Sequence, residues 1–323
     1  MTMSRQEAIN DALARLHDVG FTWGPDYAGH GPMVAEAISM LGHDEAVAGW
    51  VDSYKRRRRH KEPPPRYRAI DGSDDGSDME NWRSALGDPS RLSDWHDFFG
   101  RQLSETQWQD ATKEWIPRLI DGLAGGLTHG LIRTAHAVRG MPADGQPTDL
   151  QIDELARGLA YWAATYRSPE DDGALETTMP RDAARPETSL VLSAWTAFNA
   201  RLLLGHLDRK IVSVIQLVHT ITSAAALRTL LPLLCSDVGW HACERVRRVG
   251  RNIAGLALGS APSAPETLAL QPSLPWEELA GRAVAHDDEH AVKLTEACLQ
   301  EDFVRPDPIY RVLAGAIQHR LAA

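Results

Sequence analysis

Cysteine is scarce in this chain: Cys235, Cys243 and Cys298 are the only three in 323 residues. They form no CxxC pair and leave an odd count, so a reducing, cytoplasmic setting is the simplest expectation. An excess of positive charge is missing too, since the formal net charge is −10. That disfavours nucleic-acid binding, which draws its affinity from phosphate neutralisation. The one basic run, Lys55 to Lys61, is too local to change this. Met1 to Gly20 holds no continuous apolar segment, so no signal peptide is expected. The most apolar stretch, Ile211 to Leu234, is interrupted by Gln216, His219 and Arg228, which suits a buried helix better than a bilayer span. Alternating strand patterns and fixed-length repeats are absent. Gly122 to Gly126 does not complete GxGxxG and follows no strand, which disfavours a nucleotide fold.

What remains is helical. Hydrophobic residues make up 43% of the chain, enough for a sizeable core, and ten tryptophans can pack that core or line a pocket for a flat ligand. Ser4 to Glu7 reads as a capping box before Ile9, Leu13 and Leu16. Pro32 opens a second helix that Gly42 stops, and Asp44 to about Arg57 forms a third. Ser104 to Gln107 and Thr148 to Gln151 are further capping-box candidates. Later helices are expected over Leu190–Leu207, Ile211 to about Cys235, Asp237–Leu258, Trp276–Leu299 and Pro308–Leu321. The fold class is therefore mainly α, with the helices packed as a single multi-helix domain. The Arg-rich, Pro-rich and acidic segment from Arg58 to about Leu92 reads as a surface excursion or lid. Ser168 to about Pro186 reads as a loop.

One stretch concentrates chemistry. His286-Asp287-Asp288-Glu289-His290-Ala291-Val292-Lys293 holds two imidazoles, three carboxylates and an amine in eight residues. On a continuous helix His286, His290 and Lys293 share one face, which invites a metal site. The plainer reading is a capped helix start with an ordinary Glu289–Lys293 pair.

Three more histidines sit in comparable places. His30 precedes an apolar helix, His129 starts one after a glycine-rich joint, and His219 lies inside the most apolar helix. A lone core histidine is more often hydrogen-bonded than metal-bound. However, one inward histidine from each of several helices is how helical proteins build metal centres. Imidazole suits Fe, Zn, Cu or Ni alike. His136, two turns beyond His129, belongs to the pocket or the ligands' supporting groups. The remaining histidines read as structural or solvated. Lys293 can ligate only as a free amine or as a carbamate formed with CO₂. Asp287 and Asp288 can orient neighbouring imidazoles by accepting their N–H groups.

Four segments carry a resemblance: Gly29-His30-Gly31-Pro32-Met33 with Leu41-Gly42, Thr128-His129-Gly130-Leu131-Ile132-Arg133, His219-Thr220-Ile221-Thr222 with Ala226-Leu227-Arg228, and Asp287 to Lys293. In this order and combination the chain resembles the questin oxidase-like family. The resemblance implies an oxygenase that opens a ring of an anthraquinone-type polyketide, formally by Baeyer–Villiger or related C–C cleavage, and a non-haem iron in at least some members. Where longer members carry a second histidine-rich cluster, this chain has Met33 and Val34. The expectation is then a mononuclear iron held by His30, His129, His219 and His290, with Lys293, as a carbamate, completing or bordering the shell. An anionic fifth ligand would offset the charge that four neutral imidazoles leave on Fe²⁺. Trp23, Tyr27 and Arg133 are expected to contact substrate, His136 to carry protons and Asp287 to support catalysis. O₂ is the co-substrate, and NADPH is a candidate external reductant. Two rivals stand beside this reading. One is a metal-dependent hydrolase built on a His286-Asp287 motif. The other is a non-catalytic helical protein that binds an aromatic metabolite.

Overall fold

The computed structural model describes residues 3–72, 82–168, 187–264, 270 and 273–322. Its packing divides the chain into two compact units, Met1–Arg167 and Ser168–Ala323. Both are helical, and the chain is mainly α as expected. The strands β1 (Thr22–Trp23) and β2 (Tyr27–Ala28) form an antiparallel pair of two residues each.

In the first unit, α1 (Arg5–Leu16) begins at a full capping box. The Ser4 hydroxyl accepts the Glu7 N–H, and the Glu7 carboxylate accepts the Ser4 N–H. The helices α2 (Gly31–Met40) and α3 (Val47–Arg57) follow, with Gly42 at φ 83° ending the former. Next come α4 (Leu92–Glu105) and α5 (Trp108–Leu119). The expected cap at Ser104 does not form: Ser104 lies in the last turn of α4, and its hydroxyl donates to the Arg101 carbonyl. Thr148 does cap α7 (Asp149–Ala164), with Gln151 closing the box.

Trp95, Phe98, Phe99 and Trp115 pack with Trp82 at ring-centroid distances of 5.1–6.0 Å and fill the α4–α5 side of this unit. Most of the tryptophan supply here therefore goes to core. The excursion near residue 58 is pinned at its described ends. The Lys61 N–H donates to the Thr22 carbonyl, and the Tyr67 and Arg68 N–H groups both donate to Asp94. Ile70 and Trp82 are buried. Residues 73–81, like most of the loop read over 168–186, lie outside the described residues.

Between α5 and α6 (His129–Gly140) the glycine-rich joint packs on the end of α7. A Cβ on Gly125 would lie 1.4 Å from the Thr165 carbonyl oxygen, and one on Gly130 would lie 2.5 Å from the Trp162 Cα. These glycines are needed for close backbone approach, which explains a motif that resembles a phosphate loop only in composition.

The second unit comprises α8 (Thr188–Leu204), α9 (Ile211–Leu230), α10 (Ser236–Leu258), α11 (Trp276–Val284), α12 (Glu289–Val304) and α13 (Pro308–Ala322). Its core joins Leu203, Leu217, Ile221, Leu294, Ile309 and Leu313. Ile211–Leu233 is long and apolar enough to cross a membrane, yet 67% of its most apolar window is buried within the protein, as befits a core helix.

The expected continuous helix over Trp276–Leu299 is two helices. The chain breaks between Val284 and Glu289, and the Asp288 carboxylate caps α12 by accepting the His290 N–H at 2.8 Å. His286 therefore does not share a helical face with His290 and Lys293.

Arg228 on α9 and Glu301 on α12 form a buried bidentate pair at 2.6 and 3.0 Å, and Arg228 also donates to Ser189 and Ser193 on α8. His219 and His290 meet on the same two helices. Since 219 pairs with 290 and 228 with 301, α9 and α12 run parallel. Removing one partner leaves a buried charge uncompensated. Glu301→Ala is expected to lower stability by about 3–5 kcal/mol, read by urea denaturation; a change below about 1 kcal/mol would show that the clamp does not fix this helix pair.

Candidate functional site

Each unit presents one pair of histidines. In the first, His30 precedes α2 and is 5% exposed, and its backbone N–H donates to the Tyr54 hydroxyl at 2.8 Å. His129 opens α6 after three successive residues of positive φ, Gly126 (56°), Leu127 (54°) and Thr128 (65°). Leucine and β-branched threonine adopt this region at a cost of about 1–3 kcal/mol each. The turn aims the Gly126 carbonyl back at the His129 ring, and Nδ1 donates to it at 2.6 Å. Nδ1 thus carries the proton, and Nε2 keeps its lone pair. The Nε2 atoms of His30 and His129 stand 2.7 Å apart, with the rings stacked at 4.8 Å. Two imidazoles bound to one ion at about 2.1 Å each would place their nitrogens about 3.0–3.4 Å apart. The 2.7 Å separation is that of an N–H···N hydrogen bond donated by His30, and a shift of a few tenths of an ångström would admit an ion.

In the second unit, His219 is 1% exposed, and its Nδ1 donates to the Ile215 carbonyl at 2.7 Å, one turn back on α9. The His290 ring lies 5.5 Å from it, edge to face, and its Nδ1 donates to Asp288 at 3.2 Å. Burial pushes the Asp288 carboxyl up, but the hydrogen bonds from the His290 ring and backbone N–H outweigh that and bring it down to about 2. Its charged form therefore persists beside the ring. In three of the four histidines, then, an oxygen acceptor fixes the Nδ1–H tautomer and leaves Nε2 as a donor atom. This is the arrangement in which protein groups hold ligating imidazoles.

Lys293 is one turn beyond His290 and 1% exposed, and its Nζ has no hydrogen-bond partner among the described residues. Burial, opposed by the charges of Glu289 and Asp288, lowers it from 10.5 to about 8. The plain Glu289–Lys293 ion pair of the sequence reading does not close the site.

The other expected residues sit as follows. His136 donates from Nδ1 to Glu36 at 2.7 Å, within a buried cluster that includes Arg139 and Arg5. Arg133 makes a bidentate pair with buried Glu154 at 2.7 and 2.8 Å. Trp23 and Tyr27 pack on each other at the β1–β2 turn, with the Arg58 guanidinium 4.2 Å from the Trp23 ring centroid and Tyr27 exposed. Asp287 is exposed, and the carboxylate on His290 is Asp288. His286 accepts the Asp288 N–H at Nδ1 and donates from Nε2 to the Gln318 carbonyl, so its two nitrogens serve the α11–α12 connection. Glu36 was missed from sequence. Its signal was a lone carboxylate among Val34, Ala35 and Ile38 on an apolar helix.

Residues 51–201, a little under half of the chain, match the questin oxidase-like family, by its name one of oxidase-like proteins. His129 and its supporting turn fall within the match, whereas His30, His219 and His290 lie outside it. No curated protein matches the chain.

Two outcomes test the electrostatics. Arg139 and His136 hold Glu36 down to about 2 against the upward push of burial. A lowered carboxyl stabilises the fold fully above its unfolded value near 4.5, and that contribution is lost as pH falls toward about 2. Glu36→Gln is therefore expected to lower stability near pH 6 and to flatten its acid decline, as followed by thermal melts from pH 6 to 3; an unchanged slope would refute it. Lys293→Met removes a buried amine that lacks a partner. It is expected to stabilise the metal-free protein by about 1–3 kcal/mol, and a lowered melting temperature would count against this placement.

Proposed function

We propose that the protein is an oxygenase that oxidises or opens a ring of an aromatic, anthraquinone-type substrate with O₂. A non-haem metal, iron first, would take its ligands from His30, His129, His219 and His290. The observation that carries the reading is the tautomeric set of the histidines. His129, His219 and His290 each turn Nδ1–H to an oxygen, which fixes the ring, at buried positions where core packing alone would favour an apolar side chain. The family match over residues 51–201 supports the reaction class.

Bound iron would supply the activation of O₂. The chain's own residues do the rest. The strained turn at 126–128 and the Asp288 cap set the ring orientations before any ligand arrives. Burial brings Lys293 down to about 8, which favours its free amine. Its free amine can add CO₂, forming an N–C bond and releasing one proton. The resulting carbamate would carry the anionic oxygens that four neutral imidazoles lack. Trp23 and Tyr27 offer an aromatic surface for a flat substrate. An external NADPH would provide electrons where the reaction needs them, with the substrate and O₂ as the other partners in the cytoplasm.

The hydrolase reading loses its motif, because His286 is engaged at both ring nitrogens and Asp287 faces solvent. The oxygenase reading is tested on protein purified without added metal. Near-stoichiometric iron is expected in the wild type, with a loss of at least tenfold in His129→Ala and in His219→Ala. Oxygen uptake should follow addition of a hydroxyanthraquinone. Labelling with ¹³CO₂ should give a carbamate signal that Lys293→Met lacks. Folded wild type that holds no metal and consumes no O₂ would overturn the proposal.

A further inference from the structure

The second unit contains a cleft between α8 and α10 with a volume of about 720 Å³. That size lies within the range of sites for small organic ligands, about 300–1,000 Å³. None of its lining residues belongs to the histidine pairs. Its walls combine two chemistries. Trp195 and Phe198 on α8 lie nearly parallel, with centroids 5.5 Å apart and planes 18° apart, and Trp240 on α10 adds a third aromatic side chain. Arg247 and Arg251 supply guanidinium groups along α10, with Arg251 5.7 Å from the Trp195 ring centroid. Arg247 is paired with Glu244, so the local balance is one positive charge in a protein whose net charge is −10.

Trp195 is 6% exposed, and its indole Nε1–H, a donor only, has no hydrogen-bond partner among the described residues. The ring's nitrogen-bearing edge lies against Gly250. A Cβ there would stand 2.8 Å from Cζ2 and 3.4 Å from Nε1. The glycine thus admits the indole edge to the stretch of α10 that carries Arg247 and Arg251.

We propose that this cleft binds a planar aromatic anion, an aryl carboxylate or phenolate, with its ring against Trp195, Phe198 and Trp240 and its acidic group toward Arg251. Aromatic faces select a flat ligand, and the guanidinium selects its charge. The inference does not depend on the oxygenase reading, because no histidine or metal enters it.

The test is calorimetric titration of the metal-free full chain with anthraquinone-2-carboxylate, with benzoate as the small-ring comparator and 2-hydroxymethylanthraquinone as the neutral one. Saturable one-to-one binding of anthraquinone-2-carboxylate is expected, weakened at least fivefold in Arg251→Gln and in Trp240→Ala. The neutral analogue and benzoate should each bind at least fivefold more weakly. Arg251 is exposed and Trp240 half-buried, so both variants should keep the wild-type melting temperature. His129→Ala should bind the probe as the wild type does, which separates this cleft from the proposed metal centre. The proposal is overturned by absent binding, by binding that both cleft variants retain, or by binding lost in His129→Ala.

Discussion

Buried charge clamps between helices are the constraint on which the histidine pairs depend. In the second unit, Arg228 and Glu301 lock α9 to α12 roughly two to three turns from the point where His219 meets His290. In the first, Glu36 on α2 holds His136 and Arg139 on α6, about two turns beyond the meeting of His30 and His129. Each histidine pair thus sits on parallel helices whose register is set by a carboxylate bonded to an arginine. Apolar packing tolerates a sliding helix better than a bidentate ion pair does, because the ion pair is strong at one geometry and costly at every other. The charges that look like a burden on the core fix the spacing of the imidazoles.

The histidines are then oriented by smaller devices, each with its own cost. His129 relies on three residues of positive φ, two of them not glycine. His290 relies on a carboxylate that also caps its helix, so one group satisfies an end-of-helix N–H and fixes a ring. His219 uses the carbonyl one turn behind it, within a helix that is otherwise core. Lys293 is the extreme case: a buried amine on α12 without a hydrogen bond among the described residues. Strain, a desolvated amine and polar rings in an apolar interior all oppose stability. Their concentration around the histidines is the pattern expected where function, rather than folding, sets the residue types.

Much of the helical order was legible from local chemistry. Ser4–Glu7 and Thr148–Gln151 are capping boxes because the hydroxyl and the side chain three residues later find each other within one turn. Ser104 has the same spacing and does not cap, because α4 continues through it. The break at Ala285–Asp288 was equally hidden: the apolar period runs across it, and only the docking of His286 onto the Gln318 carbonyl shows why the chain turns there. Among the site residues, the four histidines and Lys293 could be singled out as ionisable groups at apolar positions. The partners of His136 and Arg133 could not, since Glu36 lies 100 residues from His136 and Glu154 lies 21 from Arg133.

The amino-acid sequence by itself determined the mainly α class, most helix starts and the identity of the titratable groups, because each follows from spacing within one or two turns. Tertiary structure alone decided which nitrogen of His129, His219 and His290 holds the proton, which carboxylate supports His290, and that most tryptophans of the first unit pack a core. It also opened the α8–α10 cleft beside an indole N–H that lacks an acceptor. These are properties of contacts between distant segments, and their energies depend on burial and approach angle, which no local pattern encodes.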